Sequence, residues 1–240
     1  MITHNNWTVQ DDIFPLFKFV LPIFESIFGQ VIMSKEPCNV YIDMNCAIAP
    51  VTESNPTRII LKAEPSCFDQ VVFQLGHELT HYAVRQITTY HTNCHIAAFE
   101  EPAAEAMALY VLKLCAETWT HCSLYQNYPD YAKCFDTYRV DRYNEATGMV
   151  PDNYSEWINI CNGFTGNITS DAQRPNVSIM RNTLYDVFIN FQTDIGSFIK
   201  YPLYMRSIPY EKLIDEIAWK TAEPLKSTFI SSICAIQPAV

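Results

Sequence analysis

The sequence contains no pair of cysteines in the C-x-x-C spacing of zinc ribbons, although it has nine cysteines. The odd number also argues against a framework in which every cysteine forms a disulfide. Cys115 and Cys122 fall at predicted helix positions, where a reduced cysteine packs as a small apolar side chain. Residues 121–167 hold three cysteines in loop-rich sequence, so one or two bridges remain an alternative there.

Basic residues are scarce, with 16 Lys and Arg against 26 Asp and Glu and a net charge of −10, which makes nucleic acid an unsuitable partner. Long apolar runs are also missing. The apolar stretch 13–28 is interrupted by two prolines, a lysine and a glutamate, so it predicts a buried helix or helix pair. We therefore expect a soluble protein with neither a signal peptide nor a membrane span, acting in the cytoplasm or as an exported effector.

The most informative motif is the pentapeptide His77-Glu78-Leu79-Thr80-His81. Residues 66–86 predict a helix around it, because apolar residues recur at roughly 3.6-residue spacing. His77 and His81 are four residues apart and leave the same side of a helix, where both can reach one Zn²⁺ at about 2.0–2.1 Å. Glu78 is then placed to accept a proton from water on the metal. The alternative is an amphipathic helix whose polar side carries two histidines and a glutamate.

A second predicted helix, from about residue 98 or 102 to 119, carries two acids that share one face, Glu101 and Glu105. If this helix packs beside the first, that face points at His77 and His81. Two neighbouring carboxylates repel each other unless a cation lies between them, and a metal ion meets that need. The alternative is that both acids stabilise the first turn of a helix through its dipole.

These residues resemble the glutamate zincins, or gluzincins, of which thermolysin is the familiar member. In that family a glutamate in the pattern Glu-x-x-small-Asp/Glu follows His-Glu-x-x-His, and Glu101-Pro102-Ala103-Ala104-Glu105 matches it. Positions 82–100 separate His81 from Glu101, which is the thermolysin-like spacing. Residues 105–110 also resemble the Glu-Gly-x-Ala-x-Tyr pattern of other gluzincins, with Ala106 in place of glycine.

The resemblance implies one catalytic Zn²⁺ held by His77, His81 and Glu101, with Glu78 as the general base. Glu105 would orient a ligating histidine, or would itself be the third ligand. Thermolysin-like enzymes also use a downstream histidine to stabilise the oxyanion, and this chain has none after His121. A tyrosine or arginine would replace it, and the candidates are Tyr138, Tyr154, Arg181, Tyr185, Tyr201, Tyr204, Arg206 and Tyr210.

The predicted fold is α+β and zincin-like, with a small N-terminal sheet and a mostly helical C-terminal half. Residues 38–44 and 57–63 predict strands, and the second would be a sheet edge able to pair with an extended peptide, or else an ordinary interior strand. Residues 1–12 are expected to be a loosely ordered lead-in, 52–56 a turn, and 128–148 an irregular loop or lid. Residues 178–200 and 210–221 predict helices.

We expect one domain over residues 1–240, with lobes of about 1–96 and 97–240 and the zinc cleft between them. The predicted function is zinc-dependent hydrolysis of peptide bonds in a protein substrate, of the kind found in toxins and secreted effectors. One alternative is a zinc amidase or deacylase acting on a small non-protein amide. The other is a non-catalytic binding module that uses zinc to hold two helices together.

Overall fold

The computed structural model describes residues 1–53, 56–87, 94–146, 174–190 and 195. They belong to an α+β protein that divides into two units. The first unit comprises Met1–Ile87 and Met107–Asn144, and the second comprises Thr88–Ala106 and Glu145–Val240. The α+β prediction is confirmed, whereas the two predicted lobes and their cleft stay predictions. No helix in the described ranges combines the length and apolar character that crossing a membrane requires.

The first unit contains a five-stranded sheet in the order β1-β2-β3-β5-β4. In chain order its strands are β1 Ile2–His4, β2 Trp7–Val9, β3 Cys38–Ile42, β4 Val51–Glu53 and β5 Arg58–Leu61. β2, β3 and β5 run parallel to one another, while β1 and β4 are antiparallel to their neighbours. β4 therefore lies at one edge of the sheet.

The prediction for residues 1–12 is wrong, because this segment forms the hairpin β1–β2. Asn5 in the two-residue turn has a φ of +51°, a left-handed conformation that asparagine tolerates better than most residues. The segment is anchored by Trp7, whose ring lies 5.1 Å from that of Phe17 and 4.7 Å from that of Tyr82. The buried Trp7 and Val9, together with the pairing of β2 with β3, order a stretch that reads as polar.

Of the two interpretations of residues 57–63, the interior strand is confirmed. β5 lies between β3 and β4, and its residues Ile59, Ile60 and Leu61 are all buried, as expected for a strand covered on both faces. The edge on this side is β4, which overlaps the segment 52–56 that was predicted to be a turn. This strand has three residues between Pro50 and Pro56. Because three residues are too few to show an alternating strand pattern, the sequence does not reveal the strand, which forms by pairing with β5.

The first three helices of this unit are α1 Phe14–Phe28, α2 Gln30–Met33 and α3 Phe68–Ile87, and α3 carries the pentapeptide and packs against α1, α2, β4 and β5. The prediction of a buried helix in residues 13–28 is confirmed by α1, whose apolar side is fully buried. Burial raises the pKa of the Cys38 thiol in β3 to about 12, and that of Tyr82 on α3 also to about 12. Both groups are therefore held in their neutral forms.

The remaining described helices are α4 Cys94–Thr118, α5 Ala132–Asn144 and α6 Arg174–Asn190. α4 begins earlier than predicted and continues through Pro102. α6 begins four residues before the helix predicted at residue 178. The helix predicted at residues 210–221 lies outside the described residues.

α5 replaces the loop or lid predicted over residues 128–148. Its one buried side chain, Phe135, packs edge to face on Trp119 and Tyr131 at 5.1 and 5.2 Å between ring centroids. The other residues of the helix are half-buried or exposed and mostly polar, so the sequence shows no apolar periodicity there. Six cysteines, including Cys122 and Cys134 within the loop-rich stretch, are free thiols.

Candidate metal centre

Helix α3 places both histidines of the pentapeptide on one side. His77 and His81 are one turn apart, and their Nε2 atoms lie 3.1 Å from each other. The two rings are 4.7 Å apart between centroids and inclined by 71°. The opposite side of α3, with Leu75 and Leu79, is buried in the core and holds the helix in position.

Close packing against α4 fixes the helix at the turn that carries the motif. Gly76 immediately precedes His77, and a Cβ atom at this position would lie 2.9 Å from the backbone Cα of Ala108. It would also lie 3.5 Å from the Cβ of Val111. Only glycine permits this approach of the two helices without displacement of backbone. The sequence signal was a glycine inside an apolar helix pattern, which often marks a close contact.

Glu101 on α4 joins the two histidines. One ligand atom from each of His77, His81 and Glu101 lies within 4.8 Å of the other two, and all three residues are half-buried. Within the described part of the chain this is the one group of three histidine, cysteine or acidic residues with that geometry. Two imidazole nitrogens and a carboxylate oxygen form a set that can hold a metal ion.

Glu78 is buried beside this group and is held by a residue that the sequence did not indicate. Its Oε1 atom lies 3.9 Å from the Nε2 of His77. The hydroxyl of Thr52, in β4, lies 2.7 Å from Glu78 Oε2 and 3.0 Å from the Glu78 carbonyl oxygen. Both side chains have a relative exposure of 2%. No short-range pattern links positions 52 and 78, so only the fold reveals the contact.

Glu105, the alternative third ligand, is engaged elsewhere. Its Oε2 accepts a hydrogen bond of 3.2 Å from the Nη1 of Arg181, which is fully buried. Arg181 was a candidate for stabilising an oxyanion, and the structure places it in this ion pair instead. Its Nε also donates to Asn182 Oδ1 at 3.0 Å. The group of possible metal ligands does not include Glu105.

The other oxyanion candidates are only partly described. Tyr138 on α5 packs edge to face on Phe73, with 5.8 Å between the ring centroids. Phe73 lies on α3, one helical turn before His77. The guanidinium of Arg142, which was not among the candidates, lies 4.9 Å from the centre of the same Phe73 ring. Tyr185 is buried in α6. The candidates outside the described residues are Tyr154, Tyr201, Tyr204, Arg206 and Tyr210.

Neither the family models, nor the curated proteins, nor the solved structures include a match to this chain.

Proposed function

We propose that the protein is a zinc-dependent metallopeptidase, similar to the gluzincins, that hydrolyses peptide bonds in a protein substrate. The observation that carries the proposal is the convergence of His77, His81 and Glu101 beside the buried Glu78. Three ligands of this kind are typical of catalytic zinc sites, which keep a fourth position open. A structural zinc site would instead be expected to have four protein ligands.

The donor set fits zinc in chemistry and in size. His77 and His81 would supply two imidazole nitrogens, 3.1 Å apart, and Glu101 a carboxylate oxygen, which are ligand types that zinc takes in proteins. The ligand atoms of His77, His81 and Glu101 lie within 4.8 Å of one another, so a small side-chain movement would let all three hold one ion. Both histidines are held on a buried helix, so the site is largely formed beforehand.

Glu78 is the expected general base. Zinc, when bound, supplies a Lewis acid for the substrate carbonyl and lowers the pKa of a coordinated water towards about 7. Glu78 Oε1 faces the ligand side, 3.9 Å from His77 Nε2, where it can take a proton from the attacking water. The same carboxyl group can then deliver the proton to the departing amine.

The edge strand β4 favours a peptide substrate over a small amide. Among the described strands, β4 has β5 as its one neighbour, so an extended segment could pair along its other side by main-chain hydrogen bonds. Thr52 in the middle of β4 touches Glu78, so a segment bound there would pass close to the general base. This arrangement supports hydrolysis within an extended stretch of protein.

Terminal proteomics on a cell lysate tests the proposal, using zinc-loaded wild-type protein, Glu78→Gln and the matched control Glu64→Gln at an exposed position. We expect new N-termini with wild type and Glu64→Gln. Glu78→Gln should lose about 10²–10⁴-fold in rate while mass spectrometry finds its zinc content unchanged. Zinc binding without any new termini would contradict the proposal and favour the binding module. Hydrolysis of small amides but not of proteins would favour the alternative of a zinc amidase or deacylase.

A further inference from the structure

We propose that Thr52 positions the general base: its hydroxyl binds Glu78 Oε2 and thereby keeps Oε1 turned to the side of the metal ligands. This inference rests on the proposed function of Glu78. It assigns a role to a residue 26 positions away in sequence, on the edge strand of the sheet. Thr52 would not touch the substrate carbonyl, so it is a positioning residue and not a catalytic one.

The geometry makes the carboxylate the better acceptor of the single hydroxyl proton. The distance from Thr52 Oγ1 is 2.7 Å to Glu78 Oε2 and 3.0 Å to the Glu78 carbonyl oxygen. A hydrogen bond to a charged acceptor is shorter and about twice as strong as one to a neutral acceptor. Because both residues are buried, little water is available to replace the bond if it is lost.

Glu78 needs such a restraint because a carboxylate is itself a good zinc ligand. Its Oε1 lies only 3.9 Å from His77 Nε2, so rotation of the side chain could make it a ligand of an ion held by that histidine. A carboxylate bound there would be unable to accept a proton from water. The bond to Thr52 opposes this rotation by retaining the second oxygen, Oε2.

Thr52 is well suited to hold a fixed position. The alternation of β4 points it inward between the half-buried Val51 and Glu53, and it is paired across the sheet with the fully buried Ile59. Threonine is branched at Cβ, so its χ1 angle is restricted. Strand pairing and the branched side chain together fix the direction of the hydroxyl.

The test compares Thr52→Val, which removes the hydroxyl at nearly constant shape, with Thr52→Ser, which retains it. Crystal structures of the metal-free variants should show the Glu78 carboxylate displaced in Thr52→Val and unchanged in Thr52→Ser. In cobalt-substituted protein, Thr52→Val should alter the visible absorption spectrum as Glu78 reaches the metal. The same substitution should have no effect on that spectrum in a Glu78→Gln background, because an amide is a poor ligand.

Activity gives a third measurement, with a quenched-fluorescent peptide library as the probe. Thr52→Val should lower kcat by about 10–100-fold with an unchanged KM, and Thr52→Ser should restore most of the rate. If wild-type protein cleaves no peptide, the proposed function fails, and the crystal structures still decide the role of Thr52. An unmoved Glu78 carboxylate in Thr52→Val would overturn the inference even in an active peptidase.

Discussion

Glu105 and Arg181 form a buried ion pair, with 3.2 Å between the Glu105 Oε2 and the Arg181 Nη1 atoms. Arg181 is fully buried, and the Glu105 side chain is 10% exposed. The arginine therefore compensates the charge of Glu105 without a metal ion. Glu101, one turn earlier on the same helix, belongs to the group with His77 and His81. The two acids of the motif are thus expected to have different tasks, which can be separated by mutation.

Glu101→Ala should abolish stoichiometric zinc binding, because only two ligands remain. The measurement is zinc content by mass spectrometry after dialysis, with Glu100→Ala as a neighbouring control. Glu105→Ala should keep its zinc. A fully loaded Glu101→Ala protein, or a metal-free Glu105→Ala protein, would show that the third ligand has been assigned to the wrong acid.

Glu105→Ala should instead destabilise the protein by about 3–5 kcal/mol, because it leaves the Arg181 guanidinium buried without its carboxylate. Urea unfolding of the metal-free protein measures this loss. The double variant Glu105→Leu/Arg181→Met removes both charges and should recover much of the stability. If the single variant were as stable as wild type, the ion pair would contribute nothing to the fold.

Gly76→Ala should weaken both the fold and the metal site. The added Cβ would lie 2.9 Å from the Ala108 backbone, so α3 and α4 must move apart, at an expected cost of about 1–3 kcal/mol. That cost exceeds the helix propensity gained by alanine, which is about 1 kcal/mol. Zinc affinity should fall as well, because the histidines and Glu101 lie on these two helices.

Gly29→Ala is the matched control for Gly76→Ala. Gly29 has a φ of +92°, which strains alanine, but no atom lies within 4 Å of the added Cβ. It should therefore lower stability without changing the zinc affinity measured by competition with a chelator. Equal zinc affinities in Gly76→Ala and wild type would contradict the link between helix packing and the site.

Stability should fall as pH rises above 9. The Cys38 thiol and the Tyr82 hydroxyl have ordinary pKa values of 9.0 and 10.0, and burial raises both pKa values to about 12. Below pH 9 both groups are protonated in the folded and unfolded states alike. Between a group's ordinary pKa and pH 12, the unfolded chain has released the proton while the folded protein still holds it. The free energy of unfolding therefore falls by up to about 1.4 kcal/mol per pH unit for each group.

Urea unfolding of metal-free protein between pH 8.5 and 11.5 measures this slope. Cys38→Ala should remove the decrease in the free energy of unfolding that begins near pH 9. Tyr82→Phe should remove the decrease that begins near pH 10. A free energy of unfolding that stays constant from pH 9 to 11 would mean that neither group is buried in solution.

The sequence was sufficient to predict features that depend on neighbours along the chain. The spacing of His77 and His81 places them on one face of any helix, and the apolar pattern around them indicates which side of α3 is buried. The helix α1 and the strands β3 and β5 follow from local patterns in the same way. The hydrophobic periodicity of a helix or strand is visible within its own stretch of sequence, so these elements can be predicted without tertiary information.

Segments with a weak local pattern were missed. The hairpin β1–β2 depends on Trp7 packing against Phe17 and Tyr82, and α5 depends on Phe135 packing against Trp119. In each case a buried aromatic residue packs against rings that are distant in sequence. A polar segment anchored by so few side chains has the composition of a loop.

His-Glu-x-x-His by itself determined the pair of imidazoles and the adjacent carboxylate, because an α-helix repeats every 3.6 residues. The tertiary structure alone decided that Glu101 joins the histidines, that Arg181 engages Glu105, and that Thr52 binds Glu78. These contacts join residues 20 to 76 positions apart. Separations of that size are closed by strand pairing and helix packing, for which the spacing of residues within one segment carries no information.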